Sequence, residues 1–578
     1  MKNLFRKILA LSISTLLLLS IFASCNKNTV NVAPADNQTD VETVAETNTV
    51  VPNDKNIVIL FTNDVHCGVD DNIGYAGLAE YKNRINKDEN YVALVDAGDF
   101  SQGAPIGTLS KGKDLIKIIE KVGYDFVIPG NHEFDYNMEN FLDNALDLTG
   151  IIHSANFIDL RSNKTVLPPY KIMTYGNKKV AFVGCTTPES FTKSTPAYFQ
   201  DKDGNYIYSL SEDETGERLY QSVQAAVDSA KAEGADYVIL VGHLGVEGTT
   251  DRWKSTTVIQ NTNGIDFAID GHSHEVNPGT IVNNKDGKDI VIAQTGTKLS
   301  HIGQLTISKD GEFSVELIDN VPVTDGSPTE DEKGNKLNAK DKDTDAFIKD
   351  IQSKFEESLS EVIVKDSKVD LIINNPDNDE ERIVRKQETN LGDLCADAYK
   401  TVLDADIGFM NGGGVRKAIK AGDITYKDCL TVMPFNNMAT MIKCNGQTIK
   451  DALELGASRL PEENGGFIHV SGLTYTINSQ IPSSVHLDDK NNFISVDGEY
   501  RVSDIKVNGQ DLDLEKEYTL ACHDYMLING GDGFTMFKGT EVIKDRVLPD
   551  VDVLVDYLKA EGTEKYSNPL GEGRITIK

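Results

Sequence analysis

The feature that most constrains this chain is a short apolar run that breaks into a cluster of polar groups, repeated at five places. Tyr124-Asp125-Phe126-Val127-Ile128-Pro129-Gly130 leads into Asn131-His132-Glu133-Phe134-Asp135. Ile57 to Phe61 leads into Asn63-Asp64-Val65-His66, and Tyr91 to Val95 into Asp96-Ala97-Gly98-Asp99. Tyr237 to Val241 ends in Gly242-His243, and Ile265 to Ile269 in Asp270-Gly271-His272-Ser273-His274. Unbroken apolar runs separated by helix-length polar segments are what strands buried on both faces require. They predict an α/β fold, in which ligands collect beyond the carboxyl ends of the strands. Five of the ten histidines fall at these tips, so the tips are where chemistry is expected.

At 578 residues the chain is too long for one ordinary core, and two substantial domains are expected. The first spans 56–325, with further strands at Lys179 to Val183 and Asp289 to Ala293 and helices such as Tyr75 to Arg84, Lys113 to Val122 and Arg218 to Glu233. Residues 326–360 read as a polar connector followed by an amphipathic helix, Thr344 to Leu359, with Phe347, Ile351, Phe355 and Leu359 four apart. The second domain, 361–578, mixes helices such as Leu391 to Val402 with strand-like runs such as Tyr500 to Val507. Two Gly-rich turns stand out there, Asn411-Gly412-Gly413-Gly414-Val415-Arg416 and Asn529-Gly530-Gly531-Asp532-Gly533.

The amino end has the layout of an export signal. Lys2, Arg6 and Lys7 precede an uncharged run from Ile8 to Ala23, and Ala23-Ser24-Cys25 closes it in the manner of a lipoprotein signal. The expectation is a signal peptide over 1–25 with Cys25 lipidated, the alternative being plain secretion. A tether over 26–55 would then hold the protein off a membrane, at a cell surface or in a periplasm. A formal charge of −33 argues against binding a nucleic acid polymer through a general basic surface. An anionic substrate would instead need local positive charge, from metal ions or a few placed arginines. The cysteines beyond Cys25 show no C-x-x-C spacing, so neither a zinc-thiolate site nor a disulfide framework is indicated, and Cys67 beside His66 is a candidate for oxidation.

Mixed imidazole, carboxylate and amide groups suit borderline divalent ions such as zinc, manganese or cobalt, whereas an all-oxygen cage would suit calcium or magnesium. On an extended strand end, residues i and i+2 point the same way, so Asp64 with His66, and His272 with His274, would each offer two ligands to one side. Gly98, Gly130, Gly242 and Gly271 each stand just before a candidate ligand, where a side chain would crowd an ion.

Taken together, D-x-H (Asp64 to His66), G-D (Gly98-Asp99), G-N-H-E (Gly130 to Glu133), G-H (Gly242-His243) and G-H-x-H (Gly271 to His274) resemble the dinuclear metallophosphoesterase pattern. The strings FTNDVHCG, VDAGDFSQGAP, PGNHEFDY and DGHSHE, followed by ETNLGDL, NGGGVR, AGDITY, MPFNN and NGGDGF, are similar to the secreted 5'-nucleotidase family over nearly the whole mature chain. That resemblance implies an N-terminal four-layer αββα sandwich joined by a helix to a C-terminal α+β substrate-recognition domain. It implies one ion on Asp64, His66 and His274, a second on Asn131, His243 and His272, and Asp99 bridging. It further implies hydrolysis of nucleoside 5'-monophosphates by attack of a dimetal-bound hydroxide, with His132 stabilising developing charge and Asp135 orienting its ring. Asp135 stands where relatives that open 2',3'-cyclic nucleotides tend to carry Asn, which favours the 5'-nucleotidase reading. Cys67 stands where Gly is common and is expected to reshape the turn.

For the second domain the resemblance implies Arg385 and Arg416 on substrate oxyanions, Asn411 on the base and Asp532 on the ribose hydroxyls. Phe435 would form one face of a clamp around the base. Relatives place the other aromatic six residues before the GGDG aspartate, where this chain has Met526, so either Tyr525 or Met526 supplies that face. Without the resemblance, Phe435 would read as core and the arginines as surface. UDP-sugar hydrolysis or 2',3'-cyclic-nucleotide phosphodiesterase activity on the same scaffold is the near alternative. A non-catalytic surface binding protein is the distant one.

Overall fold

A computed structural model describes residues 52–578 apart from Glu89, Lys202, Gly248, Lys333 and Asn335. The expected signal segment, Cys25 and most of the tether therefore lie outside the described residues. Among the described residues no helix is long and apolar enough to cross a membrane.

The apolar runs of the first lobe become the central strands of two sheets. One has the order Phe313–Ile318, Ile302–Ile307, Ile57–Thr62, Tyr91–Asp96, Phe126–Val127, and its last three strands are parallel. The other has the order Val276–Asn283, Asp289–Thr295, Phe267–Ile269, Tyr237–His243, Lys178–Thr186, Tyr170–Tyr175, with its four inner strands parallel. Alternate side chains explain the stacking. Ile59, Phe61, Val95, Phe182, Ile239 and Val241 fill the layer between the sheets. Their neighbours face outward: Leu60 and Leu94 pack with Leu78, Leu115 and Ile119 of the helices Gly74–Lys87 and Lys113–Val122. Val183, Val238 and Leu240 pack with Leu219, Val223 and Val227 of the helix Glu217–Ala232. The result is an αββα sandwich with five polar tips at one edge.

In the second lobe a five-stranded sheet, in the order Ile468–Ser471, Ile407–Asn411, Glu517–His523, Ala439–Asn445, Glu541–Lys544, carries the helices Asn390–Leu403 and Asp550–Glu561 in one core and Gly446–Ala457 in another. The expected joining helix is broken. Helix Lys342–Ser353 buries Ile348 and Ile351 in the core of the first lobe, and after a break at Lys354-Phe355 the turn Glu356–Leu359 brings Leu359 against the second. The apolar stripe read as one helix is shared between two cores, so the joint lies at 354–356 instead of along a continuous rod.

Candidate active site

The five tips converge, but only His243 does so from within a strand, Tyr237–His243. Asp64 and His66 have φ of 52° and 46°, Asp99 60°, and His272 and His274 80° and 59°, all left-handed. Past its strand, the loop 64–67 runs beside the loop 98–100. Asp64 N–H donates to Gly98 O at 3.0 Å, His66 N–H to Asp99 O at 2.9 Å and Cys67 N–H to Phe100 O at 3.1 Å. That pairing accompanies the left-handed turns at Asp64, His66 and Asp99, each costing about 1 kcal/mol or more, and corrects the expectation that i and i+2 share a side by strand geometry. His272 and His274 in fact enter different groups. The approach of the loops is also why Gly130 must be glycine: a Cβ there would lie 2.3 Å from Asp99 Oδ1.

Asp64, His66, Asp99 and His274 form one group of converging ligand atoms, and Asp99, His243 and His272 a second. Asp99 belongs to both. Asp64 Oδ1 lies 3.3 Å from His274 Nε2 and 3.8 Å from His66 Nε2, while Asp99 Oδ2 lies 3.1 Å from His243 Nε2 and 3.8 Å from His66 Nε2. The His66 and His274 Nε2 atoms are 3.0 Å apart. His243 is oriented by its Nδ1 on Ala97 O at 2.7 Å, and His66 by its Nδ1 on Gln102 O at 3.1 Å. Asn131 follows Gly130 and is 2 % exposed.

These residues fit a pair of divalent ions. Among the described residues, Asp64 Oδ1, Asn131 Oδ1 and His243 Nε2 are buried side-chain atoms without a hydrogen-bond partner, which is costly unless something else satisfies them. Burial opposes ionisation of Asp64, yet His274 and His243 hold it down to about 2, so this is an anionic ligand. Glu133, of the G-N-H-E motif, is not aimed at an ion. It accepts the N–H groups of Asp99 (2.8 Å), Phe100 (3.0 Å), Ser101 (3.0 Å) and Gly130 (2.7 Å), and so clamps two tips together. His132 Nδ1 donates to Asp135 Oδ2 at 2.6 Å. Although burial opposes protonation of His132, Asp135 and Asp99 raise its affinity for a proton. Cys67 is buried in the core of the first lobe, and burial pushes its thiol up to about 12, which favours the neutral form.

Opposite the tips lies a cavity of about 450 Å³ lined by Asp99, Asn131, His132, Asp135, His272 and His274 from the first lobe and by Arg385, Asn411, Arg416, Phe435, Tyr525 and Asp532 from the second. Phe435 is not core: its ring centroid is 5.7 Å from that of His132, and the Arg416 guanidinium lies 5.5 Å from it. Met526 is fully buried with its Sδ 3.6 Å from Cys522 Sγ and does not line the cavity. Tyr525 lines the cavity, with its hydroxyl donating across the lobes to Thr192 O at 2.6 Å. Burial and repulsion from Arg382 lower both Arg385 and Arg416, the latter to about 10. Guanidiniums crowded in this way are stabilised by an incoming anion. Asn411 is largely engaged within the protein, its Oδ1 accepting from His523 Nε2 at 2.9 Å and its Nδ2 donating to Asp532 Oδ2 at 2.8 Å. Asp532 also pairs with Lys193 of the first lobe at 3.2 Å.

Lys193, Glu189 and Arg382 are cavity residues that the sequence did not reveal. Glu189 and Lys193 follow the tip of strand Lys178–Thr186, whose Thr187-Pro188 carries no ligand type and so gave no signal. Arg382, three residues before Arg385, was legible only as part of a charged run.

Two stacked sheets with paired ligand groups at one edge define a calcineurin-like phosphoesterase, and a model of that domain matches residues 57–276. A model of the 5'-nucleotidase C-terminal domain matches residues 367–539. The chain is 26 % identical over 541 residues to a 5'-nucleotidase of Vibrio parahaemolyticus, covering 87 % of this chain and 89 % of that one. It is 27 % identical over 568 residues to a 5'-nucleotidase of Bos taurus, covering 90 % of each. The crystal structure of a 5'-nucleotidase precursor from Thermus thermophilus superposes with a TM-score of 0.72 at 23 % identity, over 90 % of this chain and 99 % of that one. The chain belongs to the two-domain 5'-nucleotidase family.

Proposed function

We propose that the protein hydrolyses nucleoside 5'-monophosphates to nucleoside and phosphate. The observation that carries this reading is a single cavity in which two ligand groups sharing Asp99 face Arg385, Arg416 and Phe435. Asp64, His66 and His274 would hold one divalent ion, Asn131, His243 and His272 the other, with Asp99 common to both. When bound, two such ions neutralise phosphate oxygens and lower the pKa of water. The chain's own residues do the rest. Arg385 and Arg416, crowded against Arg382, bind the phosphate. Phe435 offers a flat apolar face to the base, opposite Tyr525. His132, with Nδ1–H fixed on Asp135, keeps Nε2 for the phosphoryl or leaving oxygen. Asp532 accepts from the ribose hydroxyls. The residue boundaries 56–325 and 361–578 remain our division of the chain into catalytic and recognition domains. Zinc, manganese and cobalt are the candidate metals. We further propose that the protein is exported and lipid-anchored through Cys25, on the basis of the charged, apolar and Ala-Ser-Cys segments in that order.

The experiment is chromatography of the products from AMP, UDP-glucose and 2',3'-cyclic AMP, with and without chelator, reading adenosine and phosphate from the first, UMP and glucose 1-phosphate from the second and the ring-opened monophosphate from the third. Release from AMP that chelator abolishes and added metal restores is expected. Turnover confined to UDP-glucose or the cyclic nucleotide would replace the substrate assignment, and no turnover of any of them would favour a binding protein.

A further inference from the structure

Glu189 stands at the entry to the turn Ser190–Lys193, is 3 % exposed and uses both carboxylate oxygens. Its Oε2 lies 2.8 Å from His272 Nε2. Its Oε1 accepts the N–H of Thr250 at 2.8 Å and the Thr250 hydroxyl at 2.5 Å. Thr250 Oγ1 in turn accepts from Asn491 Nδ2 of the second lobe at 2.9 Å. The loop bearing Asn491 is docked by two more contacts, Arg252 Nη2 to Asp489 O at 3.0 Å and Lys490 Nζ to Glu212 Oε1 at 3.1 Å.

An imidazole has two ring nitrogens, and the hydrogen bond made by one decides which tautomer the other presents. A carboxylate on Nε2 selects the form with its proton there and leaves the Nδ1 lone pair for an ion. His272 is grouped with Asp99 and His243, and its ring centroid is 5.0 Å from that of His243. Of the imidazoles in the two groups, His243 and His66 are oriented by backbone carbonyls, whereas His272 is held by a side chain that is itself tied to the other lobe.

We propose that Glu189 is the positioning residue of the second ion site: it fixes the ring and tautomer of His272, and the Asn491–Thr250 contact holds Glu189 in place when the lobes are docked. This rests on the two-ion reading above. Docking of the recognition lobe is thereby linked to the quality of one metal ligand through three hydrogen bonds. The link places a cost on the second ion whenever the lobes separate.

The test is a zinc titration of the full metal-stripped chain, followed by calorimetry. The wild-type chain should take two equivalents. Glu189→Ala should keep the first and weaken the second by about 10- to 100-fold, the usual effect of losing such a partner. Glu189→Gln, whose amide oxygen still accepts from His272, should recover part of that loss, and Asn491→Ala should weaken the second equivalent in the same direction but less. Unchanged melting of the metal-free variants separates this from unfolding, and Asn491→Ala carries the test if Glu189→Ala does not fold. Wild-type affinity for both ions in Glu189→Ala and Asn491→Ala, or equal weakening of both equivalents, would overturn the proposal alone. A wild-type chain that takes fewer than two equivalents would overturn the two-ion reading and the proposal with it.

Discussion

Asp99→Ala is expected to reduce phosphate release from AMP by at least about 10³-fold, more than loss of a single electrostatic donor, and to leave the purified protein short of both metal ions. The reason is the double membership of this carboxylate: Oδ2 is 3.1 Å from His243 Nε2 and 3.8 Å from His66 Nε2, one imidazole from each ligand group. Its other oxygen accepts the backbone N–H of His132 at 2.8 Å, so alanine also loosens the loop that carries the proposed charge-stabilising residue. Asp99→Asn separates the two effects. The amide oxygen keeps that backbone contact, yet the bridging charge is gone, so metal loss should persist while the melting temperature of the metal-free chain stays near wild type. Metal analysis and steady-state kinetics on the same preparations decide it, and two ions with wild-type turnover in either variant would remove Asp99 from its assigned place.

His132→Ala should lower kcat by about 10²- to 10⁴-fold while both ions are retained. His132 is adjacent to Asn131 in the chain, but their environments differ. Asn131 Oδ1 is a buried atom with no hydrogen-bond partner among the described residues, whereas the His132 imidazole is committed through Nδ1 to Asp135 and lies tilted against Phe435 in the cavity. Asn131→Ala should therefore lower occupancy of one ion, and His132→Ala should spare both. Asp135→Asn should give a smaller loss than His132→Ala, because the ring remains but its orientation and tautomer are no longer enforced. Equal metal loss in the two neighbouring alanine variants would show that their roles are assigned wrongly.

The contrast between what the chain announces and what it hides follows from the physics of each feature. The strand tips were legible because a strand buried on both faces leaves an apolar run that ends abruptly, and polar groups placed after it have nowhere to go but the sheet edge. The backbone at those tips was not legible. Asp64, His66 and Asp99 take left-handed angles where the loops 64–67 and 98–100 pair with one another, and His272, also left-handed, donates its N–H to the Asp64 carboxylate, tertiary causes that no local pattern encodes. Phe347, Ile351, Phe355 and Leu359 gave a true helical period but concealed a break, because periodicity cannot say that one stripe serves two cores. Nor does sequence distinguish Met526, which lies in the core with Cys522, from Tyr525, which lines the cavity. Glu189 and Lys193 went unread because they act across space, on His272 and on Asp532.

The most direct measurement is anomalous X-ray scattering from crystals of the chain loaded with manganese or zinc. Two peaks about 3.5–4 Å apart are expected, with Asp99 between them, Asp64, His66 and His274 around one, and Asn131, His243 and His272 around the other. A single peak, or a pair in which Asp99 touches only one ion, would contradict the account.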